Sequence, residues 1–202
     1  MGRRERNKEH KLRRLEDAGI AAFLADGYSA ASVERIAAAA DVARGTYYLY
    51  FKDKEALFVS LMERLWEPLI AAVASARDEL ARCEDIASTL GVYASLGSNL
   101  ALLLVERREE LQLYFAEARG RGPAGDAVRR RAARLEELTR EILEDAITRG
   151  TLRQHDVHAA SLAIFGGIEW LVYAFLEGDP SLDPGTLPGE VTRLFRHGLA
   201  PG

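Results

Sequence analysis

The hydrophobic positions of this chain recur at three- and four-residue intervals, the period of an amphipathic helix. Between Leu12 and Leu24, for example, the apolar side chains fall at such steps with charged residues between them. No stretch alternates apolar and polar residues in the period of two that is typical of a strand. Alanine, leucine, glutamate and arginine dominate, and all four favour helices. The pattern therefore predicts an all-α protein with about nine or ten helices.

Capping and breaking residues predict where these helices begin and end. Gly27 should end a first helix that starts near Asn7, because glycine accepts the left-handed backbone that closes a helix. Ser32, Asp53 and Asp156 each precede an apolar periodic segment, so their side chains are predicted N-caps. Pro68 falls inside the helix that follows Asp53, and we expect it to kink or divide that helix.

Residues 32–55 carry the most informative pattern, a short helix, a tight turn at residues 40–42 and a second short helix. This order predicts a helix-turn-helix, whose second helix enters the DNA major groove with its N-terminal residues. Arg44 can bridge guanine O6 and N7, the Thr46 methyl can meet a thymine methyl, and Gly45 permits close approach. The alternative, that the aromatic residues here are core, holds for Phe51 and partly for Tyr48. The predicted DNA-binding residues are Ser32, Arg44, Gly45, Thr46, Tyr47, Tyr48, Tyr50, Lys52 and Lys54, the last four suited to phosphates.

Charge is distributed unevenly along the chain. The net charge is −4, which argues against nucleic-acid binding, yet residues 1–14 hold seven basic side chains against two acidic ones. Residues 1–58 sum to +2 and the remainder to −6. A basic end on an acidic body indicates an anionic partner at one end only, unless the terminus is simply a flexible solvated segment.

Residues 19–58 carry a pattern without gaps that consists of Gly27-Tyr28, Ser32-Val33, Ile36-Ala37, Gly45-Thr46-Tyr47-Tyr48, Phe51 and Lys54-Glu55-Ala56-Leu57. With this pattern the segment resembles the DNA-binding segment of the TetR family of bacterial transcriptional repressors. The resemblance implies an all-helical homodimer, with an N-terminal three-helix DNA-reading domain and a C-terminal domain for effector and dimer contacts. Family members often have glycine where Asp41 stands and serine where Ala43 stands. Asp41 can still adopt a left-handed backbone, whereas Ala43 forfeits about 1 kcal/mol of capping.

The domain organisation follows from these patterns. We expect a helix-turn-helix DNA-binding domain over residues 1–52 and a helical effector-binding and dimerisation domain over residues 53–202. The segment 162–176 is apolar nearly all round, so both of its sides must be covered. A second subunit is the expected cover, and a fully buried core helix of a monomer is the alternative. The predicted dimer residues are Leu162, Phe165, Gly166, Ile168, Leu171 and Phe175.

Aromatic residues of the later helices are candidates for an effector pocket, a prediction that depends on the family resemblance. Aromatics also fill ordinary cores, and any one of these residues taken alone is better explained by core packing. Because few charges fall among the predicted inward positions, the expected small-molecule effector is apolar or aromatic. The candidate lining residues are Trp66, Tyr93, Tyr114, Phe115, Trp170 and Tyr173.

Other chemistry is poorly represented. The single cysteine, Cys83, excludes an intramolecular disulfide, and neither a catalytic triad nor a phosphate-binding loop occurs, so we predict no enzyme activity and no cofactor. His155 and His158 lie on either side of Asp156, and two imidazoles with a carboxylate can bind a metal ion. A helical enzyme with a metal bound at His155 and His158 is therefore an alternative hypothesis. The longest apolar block, residues 162–176, is interrupted by Glu169 and is shorter than a membrane span. With no secretory signal at the start, the expected location is the cytoplasm.

Together these features predict a ligand-responsive transcriptional regulator. As a repressor it binds double-stranded operator DNA as a homodimer and is released by a small apolar effector. The alternative is an all-helical protein-interaction module without DNA binding, which leaves Arg44, Tyr50 and Lys54 unexplained.

Overall fold

The computed structural model describes residues 2–117, 122–183 and 185–199, and those residues contain helices and no strands, which confirms the all-α prediction. Nine helices follow one another in these ranges. They are α1 (Arg3–Ala30), α2 (Val33–Ala39), α3 (Arg44–Tyr47), α4 (Lys54–Leu80), α5 (Ile86–Glu106), α6 (Arg108–Glu117), α7 (Pro123–Thr148), α8 (Val157–Leu176) and α9 (Leu187–Leu199).

Helix α1 begins earlier than predicted, at Arg3 instead of Asn7. The alternative that the basic terminus is a flexible segment is therefore wrong, because residues 3–14 are helical. Their side chains are exposed or half-buried, and Leu15 is the first fully buried one. Since the buried turns already nucleate the helix, each further turn needs only the favourable propagation step. Gly27 breaks the helical backbone with a φ of 77°, as predicted.

The predicted N-caps are confirmed. The Ser32 hydroxyl accepts a hydrogen bond from Arg35 N at 3.3 Å. The Asp53 carboxylate accepts from Ala56 N at 2.7 Å, and Asp156 accepts from Ala159 N at 3.0 Å. Helix α4 runs on through Pro68 and is not divided there.

The chain forms two compact units, one from the described parts of residues 1–66 and 109–130 and the other from those of 67–108 and 131–202. In the first unit, the rings of Phe23, Tyr28 and Phe58 pack with centroids 5.2–5.9 Å apart. In the second, α5 and α9 approach closely at Gly97, where a Cβ would lie 2.7 Å from Pro188 Cβ. The functional boundary at residue 52 stays a prediction, since compactness alone does not locate it.

Two helices are long and apolar enough to cross a membrane by length and composition alone, residues 87–106 of α5 and Val157–Leu176 of α8. The sequence argument from a 15-residue block is therefore wrong by this criterion, because α8 extends one and a half turns before Leu162. Core helices of water-soluble proteins pass the same test. The observation is weak support for membrane insertion.

Candidate nucleic-acid interface

The turn between α2 and α3 has the backbone that a helix-turn-helix needs. Among the described non-glycine residues, Asp41 alone has a positive φ, 49°. The Arg14 guanidinium holds this turn from α1, with Nη2 2.9 Å from Asp41 Oδ2. Ala43 precedes α3 without any side-chain cap, as its methyl group requires. Aspartate therefore substitutes for the usual glycine at the turn.

The first residues of α3 face solvent. The Arg44 side chain is 62% exposed, with Nη2 3.0 Å from Glu34 Oε1 and its guanidinium carbon 5.8 Å from the Tyr48 ring centroid. Gly45 is exposed, and a Cβ built there meets nothing within 4 Å. Thr46 is half-buried beside them. An arginine paired only at the surface exchanges its partner for a base at small cost. The geometry therefore suits base contact by this end of α3.

Tyr47, which the sequence placed among the DNA-binding residues, lies in the core. Its side chain has no exposed surface, and its hydroxyl donates to the Asp53 carbonyl at 3.0 Å. Burial, with a further contribution from the Asp53 charge, raises the pKa of this phenol well above its usual value. The predicted DNA contact by Tyr47 is wrong, because the ring fills the core against Phe51, at a centroid distance of 5.7 Å.

Lys54 has a structural role that the sequence prediction missed. Its ammonium donates to the carbonyl oxygens of Tyr28, Ser29 and Ala31, at 2.6, 3.0 and 3.0 Å. The same nitrogen lies 4.7 Å from the centroid of the Tyr28 ring. An ammonium has three donors. All three are used at the end of α1, so a phosphate contact would require one of these bonds to break.

The other predicted residues differ in exposure. Tyr48 is 45% exposed, the Lys52 side chain is 82% exposed, and Tyr50 is half-buried. Ser32 is half-buried and already caps α2. Sequence reasoning missed Leu49, which is 81% exposed. Its position midway between the buried Tyr47 and Phe51 was the available signal, since an apolar residue there faces away from the core.

An ion-pair cluster inside the first unit fixes α1 to α4 and α6. Arg64 Nη1 lies 3.0 Å from Glu16 Oε2, and Arg64 Nη2 lies 3.1 Å from Glu110 Oε1. The Glu16 and Glu110 side chains are only 8% and 5% exposed. Ser60 also donates to Glu16 Oε1, at 2.8 Å. Buried carboxylates need such partners, and this cluster positions the helix that supports the turn before α3.

The effector-pocket candidates are divided between the two units. In the first, Trp66 and Tyr114 are buried with ring centroids 5.3 Å apart, and Phe115 lies 4.9 Å from Tyr114. In the second, Tyr93 lines a cleft of about 20 Å³, room for about one water. Trp170 is 65% exposed, which places it on the open side of α8. The effector pocket stays a prediction.

Helix α8 is largely uncovered within its own unit. Leu162 is 51% exposed, Gly166 is exposed, and Tyr173 is 37% exposed with its ring 5.5 Å from that of Trp170. At about 100° per residue these four positions share one side of the helix, whereas Ile168 lies on another. The predicted dimer residues Phe165, Leu171 and Phe175 are half-buried. The monomer alternative, a fully buried core helix, is wrong for this unit.

The histidines of the metal alternative have separate partners. His155 Nδ1 lies 2.7 Å from the Arg153 carbonyl oxygen, and His158 Nδ1 lies 3.6 Å from Glu136 Oε1. The Asp156 carboxylate caps α8, and hydrogen bonds there, chiefly from Ala159 N, lower its pKa. Across residues 2–117, 122–183 and 185–199, no group of three or more His, Cys, Asp and Glu side chains is arranged to hold a metal.

Comparisons with known proteins identify both parts of the chain. Residues 15–61 match the family model of bacterial regulatory proteins of the tetR family, and residues 94–175 match that of the tetracyclin repressor-like C-terminal domain. A fatty acid metabolism regulator protein of Bacillus subtilis is 27% identical over 199 residues, covering 96% of this chain and 98% of that protein.

Solved structures show the same fold. The regulator FadR from Bacillus subtilis, solved in complex with stearoyl-CoA, superposes with a TM-score of 0.72 at 24% identity, covering 92% of this chain and 97% of that one. The fatty acid degradation regulator FadR from Bacillus halodurans gives the same TM-score and identity, with 92% and 98% covered. The chain belongs to the TetR family of bacterial transcriptional regulators, which bind DNA through the helix-turn-helix and respond to a ligand.

Proposed function

We propose that this protein is a repressor whose two α3 helices read adjacent half-sites of an operator and which a small apolar effector releases. The exposed start of α3 carries the proposal, because Arg44 and Gly45 present a guanidinium and an open backbone to solvent. Tyr48, Leu49, Tyr50 and Lys52 lie beside them and complete the proposed DNA surface. In the DNA-bound dimer the two α3 helices should lie about 34–36 Å apart, one turn of duplex.

The operator proposal is tested by selecting bound sequences from random DNA. We expect a pseudo-palindrome whose half-sites are one helical turn apart. Arg44→Ala should then cost about 1–3 kcal/mol on the selected site and relax preference at one base pair. If the protein enriches no sequence and binds no duplex, the protein-interaction alternative replaces this function.

The proposed homodimer uses the uncovered side of α8. Leu162, Gly166, Trp170 and Tyr173 form an apolar strip there, and glycine at position 166 permits close approach of a partner helix. Leu162→Glu should give monomers in sedimentation velocity. Leu102→Glu is the matched control, because Leu102 is a similarly exposed leucine of α5, 58% against 51%. A Leu162→Glu protein that remains dimeric would refute this interface.

The proposed effector is a molecule with a long apolar chain, of which a long-chain acyl-CoA is the first candidate. None of residues 87–106 in α5 is buried, and Leu102 and Val105 are 58% and 56% exposed. Helix α5 packs on α9 at Gly97 but keeps an exposed apolar side, which an apolar ligand would cover. The similarity to a fatty acid metabolism regulator and to a stearoyl-CoA complex favours an acyl chain.

Release from DNA tests the effector class. Stearoyl-CoA should raise the thermal stability of the protein and dissociate it from the selected operator, whereas coenzyme A alone should do neither. Tighter operator binding in the presence of stearoyl-CoA would instead indicate a co-repressor. We further propose that the protein acts in the cytoplasm, spans no membrane and catalyses no reaction, in keeping with regulators as its relatives.

A further inference from the structure

The first three turns of α1 extend beyond the folded body of the first unit. Leu15 has no exposed surface, whereas the side chains before it are exposed or half-buried. Residues 3–13 span about 16 Å at the rise of an α-helix. A helical segment that buries so little contributes little to a core, so its exposed side chains, including those of Arg4 and Lys8, are available to a partner, and Lys11 is half-buried.

Basic residues of this extension share one side. Arg4, Lys8 and Lys11 fall at intervals of four and three residues, and Leu15 continues the same line. At about 100° per residue, Glu5 and Glu9 lie about 100–140° around the helix from Arg4. Within the described residues, none of the three cations of this basic stripe forms a side-chain ion pair or hydrogen bond. The stripe is thus a row of three positive charges on a preformed helix.

The extension starts beside the element that reads DNA. Arg14 contacts both the Asp41 carboxylate, at 2.9 Å, and the Asp41 carbonyl oxygen, at 3.5 Å. Asp41 lies in the turn immediately before α3. The helix therefore passes the α2–α3 turn at Arg14 and continues N-terminally from it. At about 100° per residue, Arg14 lies 60–120° around α1 from the three stripe residues, so the stripe borders the side of the helix that contacts this turn.

We propose that the basic stripe, Arg4, Lys8 and Lys11, is a second DNA-contacting element that binds backbone phosphates next to the base pairs read by α3. This inference rests on the proposed operator binding. Three cations at rises of about 6.0 and 4.5 Å can each meet a separate phosphate. Because the helix is preformed, little chain entropy is lost on binding, in contrast to a flexible arm. Phosphate contacts carry no sequence information, so the stripe adds affinity without changing base preference.

The test compares two triple variants of the same helix. Arg4→Gln/Lys8→Gln/Lys11→Gln removes the stripe, and Arg3→Gln/Arg6→Gln/Arg13→Gln removes the same charge from other sides of the same turns. Glutamine keeps helix propensity, and circular dichroism checks that both variants fold. A third variant, Arg82→Gln/Arg140→Gln/Arg153→Gln, controls for net charge in the second unit.

The readout is the dependence of DNA affinity on salt, measured on the selected operator and on an unrelated duplex of equal length. Each lost phosphate contact reduces the slope of log K against log salt by about 0.9. The stripe variant should therefore flatten the slope by up to about 5 in a dimer, equally on both duplexes, while the control variants change it far less. Base preference should be unchanged.

Several outcomes would overturn the inference. They are an unchanged slope in the stripe variant, an equal loss in Arg3→Gln/Arg6→Gln/Arg13→Gln, or a loss confined to the operator. Retained DNA binding by the stripe variant together with lost binding to phosphatidylserine vesicles would assign the stripe to a membrane surface instead. If the wild-type protein binds neither duplex, the proposed operator binding itself fails, whatever the variants show.

Discussion

Removing the Arg64 guanidinium should destabilise the first unit far more than removing a comparable arginine elsewhere. Arg64 is the cation between two carboxylates, Glu16 and Glu110, whose side chains are 8% and 5% exposed. Arg64→Met leaves both carboxylates in a poorly solvated site without this partner. Breaking a buried ion pair by removing one member costs about 3–5 kcal/mol, because the remaining charge cannot be solvated. We expect a loss of free energy of unfolding in that range.

Arg77 provides the matched comparison. Its side chain is 34% exposed against 28% for Arg64, and it pairs with the carboxylates of Asp78 and Glu141. Arg64 has a third partner, Asp17 at 3.7 Å, but that carboxylate is 70% exposed and water solvates it in either case. The Asp78 and Glu141 carboxylates are 56% and 38% exposed, so water solvates them once the arginine is gone. Arg77→Met should therefore have a much smaller effect than Arg64→Met. The burial of the partner, and not the number of ion pairs, sets the difference.

Urea unfolding followed by circular dichroism, at one fixed protein concentration, measures both variants. A third variant, Glu16→Gln/Arg64→Met/Glu110→Gln, neutralises the cluster and should recover most of the stability lost in Arg64→Met. Equal losses in Arg64→Met and Arg77→Met would refute the reasoning. So would a triple variant no more stable than Arg64→Met, because the cost would then come from packing and not from unpaired charge.

Three further predictions concern the DNA-binding helices. Lys54→Met should lower the free energy of unfolding by about 1.5–3 kcal/mol, because carbonyls at the end of α1 lose a charged donor. In DNA titrations the slope of log K against log salt should stay unchanged, and a shallower slope would support the phosphate contact first predicted for Lys54. Gly45→Ala should leave the thermal midpoint unchanged or raise it, because the added methyl meets nothing within 4 Å. The same methyl should weaken operator binding, because it separates the α3 backbone from the DNA; full operator affinity would contradict a close approach of DNA to Gly45. Tyr47 has a raised pKa, so its stabilisation is complete below the unfolded pKa of about 10 and is lost as pH rises through the folded pKa. Melting curves between pH 8 and 11 should show a steeper alkaline loss for wild type than for Tyr47→Phe, and parallel curves would contradict the assignment.

Local signals explain why so much of the helix-turn-helix domain could be predicted. Ser32 and Asp53 cap helices through side chains that reach backbone three residues on, and that geometry depends on sequence spacing alone. Positive φ occurs at Gly27 and Asp41, and it could be expected there because glycine and aspartate are among the few residue types that tolerate a left-handed backbone. Contacts between distant segments behave differently. Lys54 meets carbonyls more than twenty residues earlier, and no spacing rule distinguishes that role from a phosphate contact.

The sequence by itself determined the helices, their caps, the helix-turn-helix and the family, because each depends on neighbours within a few residues or on a gapless motif. Tertiary structure alone decided which of those residues are exposed to solvent and which are buried. It buried Tyr47, exposed Leu49 and used all three donors of Lys54 inside the protein. It also brought Glu16 and Glu110, which are far apart in the sequence, to the same arginine, Arg64. The physical reason is that burial and ion pairing depend on which surfaces meet after packing, and that information is absent from the periodicity of any one helix.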